Sequence, residues 1–149
     1  TQNNFKKGNY DVFGGNGVVG KHNEYFLEKP TIVIGRVGAY CGSIHITSPK
    51  SWITDNGLYI KEFLEDIDLN FLYLTLISLR LNQYAKVGGQ PSLSQQDILK
   101  LNIQIPPMEK QKEIAEELNN LQKLINDNNK IISIYENKME KKINSIWTN

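Results

Sequence analysis

The sequence predicts an α+β protein, with a small β-rich domain over residues 1–106 followed by one long coiled-coil helix over residues 107–149. Three observations carry this. Short β-branched or alternating apolar runs, separated by Gly- and Asn-containing turns, fill the first sixty residues. A mostly apolar helical pattern begins after Asp68. Beyond Pro107 there is no Gly and no Pro, and apolar residues recur at 4-3 spacing.

Residues 10–13 alternate apolar and polar, and the run ends at Gly14-Gly15-Asn16-Gly17. Asn-Gly reaches positive φ cheaply, so a tight turn is expected there. Residues 31–37 are apolar and β-branched, which predicts a buried strand. Gly38 and Gly42 bracket a turn around Tyr40. Residues 43–47 then place Ile44 and Ile46 on one strand face. A further short strand is expected over residues 57–60. Asp68 is an N-cap candidate for a core helix through Tyr84, carried by Leu69, Leu72, Tyr73, Leu76, Leu79 and Leu81. Gly88, Gly89 and Pro91 form a loop, and Ser94 with Asp97 makes a capping box for a short helix. Leu101, Ile103 and Ile105 alternate as a strand that Pro106-Pro107 stops.

The last segment holds a heptad seam. Its a positions are Leu118, Ile125, Ile132, Met139 and Ile146, and its d positions are Ile114, Leu121, Asn128, Tyr135 and Lys142. Roughly forty residues at about 1.5 Å each make a rod of about 60 Å. A domain of this size cannot cover such a stripe, so a second long helix is expected to cover it. An antiparallel homodimer through Leu118, Leu121, Ile125, Asn128, Ile132, Tyr135 and Met139 is the expected arrangement.

Composition narrows the function classes. At 40% hydrophobic and 22% charged residues the chain reads as globular. It has no apolar run of membrane-spanning length and no secretory signal pattern at its start. It begins without Met and reads as a fragment or a processed form. One cysteine excludes an intrachain disulfide and a multi-cysteine zinc site, and is compatible with a reducing cytosol, so a cytoplasmic protein is expected. Net charge is +1, yet its distribution is uneven. Residues 1–61 carry seven Lys or Arg against four acids, a net of +3. Residues 62–106 carry three against five, a net of −2, and the remainder seven of each. The basic first half points to a polyanion.

Candidate chemistry is sparse. GGNGVVG over residues 14–20 lacks the Gly-Lys-Ser/Thr ending of a phosphate loop. Cys41 and His45 are four apart on a strand region with no orienting third group, and His22 with His45 lacks further metal ligands. Trp52, Asp55 and Asn56 could handle a base, but a turn in which Asp and Asn satisfy their own backbone is the simpler reading. Lys21, His22, Asn23, Arg36, Lys50 and Ser51 lie at or near predicted turns and are of the types that contact phosphates and base edges. They form the candidate DNA-binding set.

FGGNGVVGKHNEY at residues 13–25, TIVIGRVGAYCGSIHI at 31–46 and WITDNGLYIK at 52–61 together resemble the target recognition domain of type I restriction–modification specificity subunits. GGQPSLSQQDILKLNIQIPPMEKQKEIAEEL at 88–118 resembles that family's junction between the domain and its spacer helix. The resemblance implies sequence-specific recognition of double-stranded DNA, one half of a bipartite site per domain. It implies two long helices packed antiparallel, and partnership with a methyltransferase subunit that brings S-adenosylmethionine and with an ATP-driven restriction subunit. It implies no catalysis and no cofactor for the chain itself. The family domain usually opens with a longer leading stretch than the dozen residues before GGNG here. Two other readings stay open: a coiled-coil adaptor that binds protein and not DNA, and an enzyme using His22, Cys41 and His45.

Overall fold

The computed structural model describes residues 5–86 and 88–147. Its elements are β1 (Tyr10–Gly14), β2 (Gly17–His22), β3 (Ile32–Gly35), β4 (Ile44–Ile46), β5 (Trp52–Ile53), β6 (Gly57–Tyr59), α1 (Leu69–Ser78), α2 (Gln95–Ile98) and α3 (Met108–Trp147). The chain divides into two compact units, one ending at Gln111 and one starting at Lys112. The division falls one turn inside α3.

The first unit contains two three-stranded sheets, ordered β2-β1-β5 and β4-β3-β6. β1 and β2 form a hairpin around Gly15 and Asn16, with Gly17 at φ 80° and a register shift between Val12 and Phe13 that marks a bulge. β5 joins β1 in parallel, pairing Val12 with Trp52 and Phe13 with Ile53. The strand nature of residues 17–22 and 52–53 is not apparent in the sequence, because β2 is interrupted by Gly20 and β5 is only two residues long.

All four residues of β3 are buried, because each of its faces meets a different layer. Ile32 and Ile34 join Ile44, Cys41, Leu72, Leu76, Leu81 and Leu93 in the larger core cluster. Val33, on the opposite face, packs with Phe13 and Ile53. Strand alternation sends neighbouring side chains to opposite faces, so an unbroken apolar run is what a strand sandwiched this way requires.

α1 starts where Asp68 accepts a hydrogen bond from the Phe71 N–H at 2.8 Å. It ends at Ser78, earlier than Tyr84. Arg80 adopts φ 46° and breaks the helix, and residues 81–84 form a 3₁₀ turn that drives Leu81 to 1% exposure. Gly42, at φ 83°, makes room for that turn: a Cβ there would lie 2.4 Å from the Asn82 nitrogen. The Ser94–Asp97 capping box of α2 is present. Residues 101–105 form no strand. Leu101 and Ile103 do pack against the larger cluster, so their alternation reports side-chain burial without a neighbouring strand to complete a ladder.

Gln111 is the polar side chain that sequence reasoning missed. It is 1% exposed, accepts from the Asp68 N–H at 2.8 Å and donates to the Pro106 carbonyl at 2.9 Å. It thus fastens the first turn of α3 to the cap of α1. Gln111→Ala removes both bonds and leaves two buried backbone groups unpaired. A loss of about 2–4 kcal/mol in unfolding free energy is expected, read from urea denaturation, with Gln111→Glu unable to restore the donor side.

α3 has 40 residues and neither cap nor break inside it. Within this helix Leu121, Ile125, Ile132 and Tyr135 are each about half exposed, between 48 and 60%. The stripe extends sideways through Leu124 and Ile131, which are equally open.

Candidate nucleic-acid interface

The β1–β2 hairpin places Asp11 opposite Lys21. Lys21 Nζ lies 2.6 Å from Asp11 Oδ1, and the Ser48 hydroxyl donates to Asp11 Oδ2 at 2.6 Å. The Lys21 hydrogen bond first, then that of Ser48, holds the Asp11 carboxyl below the usual carboxylate range. Asp11 therefore remains charged and orients Lys21, whose side chain is still 57% exposed. Beside it, Lys50 occupies the left-handed region at φ 53°. That conformation costs a non-glycine residue roughly 1–2 kcal/mol, and here it carries the ammonium over the Tyr25 ring, 5.6 Å from its centroid. Tyr25 is in turn braced edge-on by Tyr10 at 4.6 Å. Asn23 is exposed just past the end of β2. Lys21, Asn23 and Lys50 are thus gathered at one end of the first sheet.

His22 and Ser51 do not belong with them. Ser51 is fully buried; its hydroxyl donates to the Ser48 carbonyl at 2.9 Å and its backbone pairs with Leu27. His22 is buried, bonds through Nδ1 to the Lys6 backbone, and meets Trp52 edge-on at 5.4 Å. Both are structural supports for the loops that present their neighbours. Arg36 is exposed but lies at the opposite end of β1. Its N–H donates to the Asn56 carbonyl at 2.9 Å, and its nitrogen lies 4.0 Å from where a Cβ on Gly15 would stand.

Cys41 and His45 do not form a reactive pair. The Cys41 thiol is buried, donates to the Arg36 carbonyl at 3.4 Å, and is pushed up by desolvation, away from the thiolate a nucleophile needs. His45 Nε2 is shut from solvent with no hydrogen-bond partner among the described residues, and desolvation lowers the ring's pKa below 6.5. No group of three or more potential metal ligands occurs among the described residues.

The sign of the His45 effect is definite. The folded protein resists protonating this ring, while the unfolded chain protonates it near the ordinary value of 6.5. Stability is full above that value and falls as pH drops below it. The urea midpoint should decrease between pH 7 and pH 5, and His45→Gln should reduce that decrease. Equal decreases in both proteins would show that His45 does not drive it.

The described residues thus form two three-stranded sheets with exposed lysines at one end of the first, followed by a long helix that carries an apolar stripe. The match to the type I restriction modification DNA specificity domain, covering residues 1–136, makes the chain a member of that family. It is 30% identical over 117 residues to the Type I restriction enzyme EcoprrI specificity subunit of Escherichia coli, a match that spans 78% of this chain and 29% of that subunit. Its fold matches the crystal structure of a type I restriction-modification system S subunit from M. genitalium at a TM-score of 0.64 and 22% identity, over 78% of this chain and 32% of that one. The chain therefore spans about a third of the length of these relatives. No helix among the described residues is long and apolar enough to cross a membrane.

Proposed function

We propose that this chain reads double-stranded DNA sequence as a non-catalytic specificity module, with Lys21, Asn23 and Lys50 meeting the backbone and base edges and Arg36 a separate, second contact. The observation that carries this is the family match, which runs through the recognition unit and most of α3. The geometry supports it: two cations are held in place on one edge, one by a carboxylate and one by a tyrosine ring. In this reading the recognition domain is residues 1–106 and the spacer residues 107–149. α3 pairs antiparallel with a second copy through Leu118, Leu121, Ile125, Asn128, Ile132, Tyr135 and Met139. The paired chains then address a bipartite inverted repeat in the cytoplasm and direct a methyltransferase subunit, and with it a restriction subunit, to that site.

The test is titration of labelled duplex DNA at several salt concentrations. Phosphate contacts release counterions, so affinity should fall linearly in log–log form with a slope of about −0.9 per contacted phosphate. Salt-independent or absent binding would favour a protein-binding adaptor. That alternative draws on the breadth of the exposed apolar face of α3.

A further inference from the structure

The turn at Asp55 and Asn56 does not use its side chains. It is closed by a backbone bond from the Gly57 N–H to the Thr54 carbonyl at 3.1 Å, and among the described residues neither the Asp55 carboxylate nor the Asn56 amide has a partner. Both residues are exposed and border an open cavity of about 370 Å³, together with Phe5, Trp52 and Thr54. Trp52 is immobilised by edge contacts with His22 at 5.4 Å and Phe26 at 5.2 Å. The exposed Arg36 is bonded through its backbone to Asn56.

We infer that this cavity is a binding pocket for a single unstacked nucleobase whose amino group stands at position 4 of a pyrimidine or position 6 of a purine, cytosine or adenine. Each wall matches one part of such a ligand. Phe5 and Trp52 offer rings to a planar base, and every base has a π-face. The Asp55 carboxylate only accepts hydrogen bonds, so it selects an amino group over the carbonyl that uracil and thymine present at the same position. The Asn56 amide can donate to an adjacent ring nitrogen or carbonyl. The volume is at the lower end of the range for small-molecule sites, suited to one base and not to a dinucleotide. The inference deepens the DNA-recognition reading and rests on it for the source of the base, but the pocket itself can be tested without a duplex.

The full chain, labelled with ¹⁵N, is titrated with free cytidine, adenosine, thymidine and uridine while the two indole N–H signals are followed. The chain has two tryptophans, and Trp147, 81% exposed in α3, is the internal control. Cytidine or adenosine should shift the Trp52 signal to saturation and leave that of Trp147 still, with thymidine and uridine at least tenfold weaker. Asp55→Asn should erase the preference, weakening the amino-bearing nucleosides roughly tenfold or more. The inference is overturned if the Trp52 signal is unmoved, if the shifts are linear and equal for all four nucleosides, or if Asp55→Asn changes nothing. Duplex titration of the same variants separates the two claims. Intact duplex binding with a silent Trp52 removes the pocket and leaves DNA recognition standing. Loss of duplex binding with a responsive Trp52 does the reverse.

Discussion

Ile125→Lys is expected to convert the protein from a dimer to a monomer at tens of micromolar in sedimentation, with the recognition unit still folded. Ile125 is the a position nearest Asn128 and is half exposed within one chain, open to cover by a second helix. In an antiparallel pair centred near Asn128, Ile125 of one copy packs beside Ile132 of the other. The substitution removes two buried isoleucines per dimer, each contributing about 1.5–3 kcal/mol, and brings two ammonium groups into the seam. Association should weaken on the order of a thousandfold or more. Because the helix carries the pairing, circular dichroism should lose helical signal while the near-ultraviolet signature of the β-rich unit persists. Binding to a two-part DNA site should collapse to the affinity of a single half-site. A monomer in the unsubstituted chain at the same concentration would overturn self-association. Unchanged association of Ile125→Lys would place the interface elsewhere.

The second large effect is expected from Lys21→Glu combined with Lys50→Glu. Each reversal removes a cation and adds an anion on the same edge of the first sheet. Duplex affinity should fall by roughly two orders of magnitude at low salt, and the salt slope should drop by about two, one for each lost phosphate contact. Lys21→Glu also faces Asp11 at close range, so that variant alone risks local disorder. Lys50→Glu avoids this, because Lys50 makes a contact with a tyrosine ring and not with a carboxylate. Lys50→Gly gives a cleaner comparison still: it relieves the left-handed backbone at φ 53° while removing the charge, so the domain should hold or gain stability as DNA binding weakens. Unaltered binding by the double variant would move the DNA face away from this corner, towards Arg36.

Patterns of short range were enough to establish the α+β class, the hairpin turn at residues 14–17, the Asp68 and Ser94 caps and the heptads of α3. Each is a relation among residues a few positions apart, where backbone geometry alone decides which side chains meet. The order of the motif blocks was enough to place the chain in its family. Tertiary structure alone decided the rest. His22 and Ser51 have the composition of DNA contacts, yet their partners, Lys6, Trp52 and Ser48, bury them. Arg36 was grouped with Lys21 by type and is parted from it by the length of β1. The helix after Asp68 has apolar spacing through Tyr84, but filling the core with Leu81 against Gly42 required the break at Arg80. Gln111 reads as one more polar residue of a solvated helix until Asp68, 43 positions away, supplies the N–H that it accepts. Asp55 and Asn56 form the expected turn, and only the fold brings Phe5 to the open cavity they border. For His22, Leu81 and Gln111 the deciding contact joins segments distant in sequence, and burial of a polar group is set by what the whole core must fill, not by the identity of its neighbours in the chain.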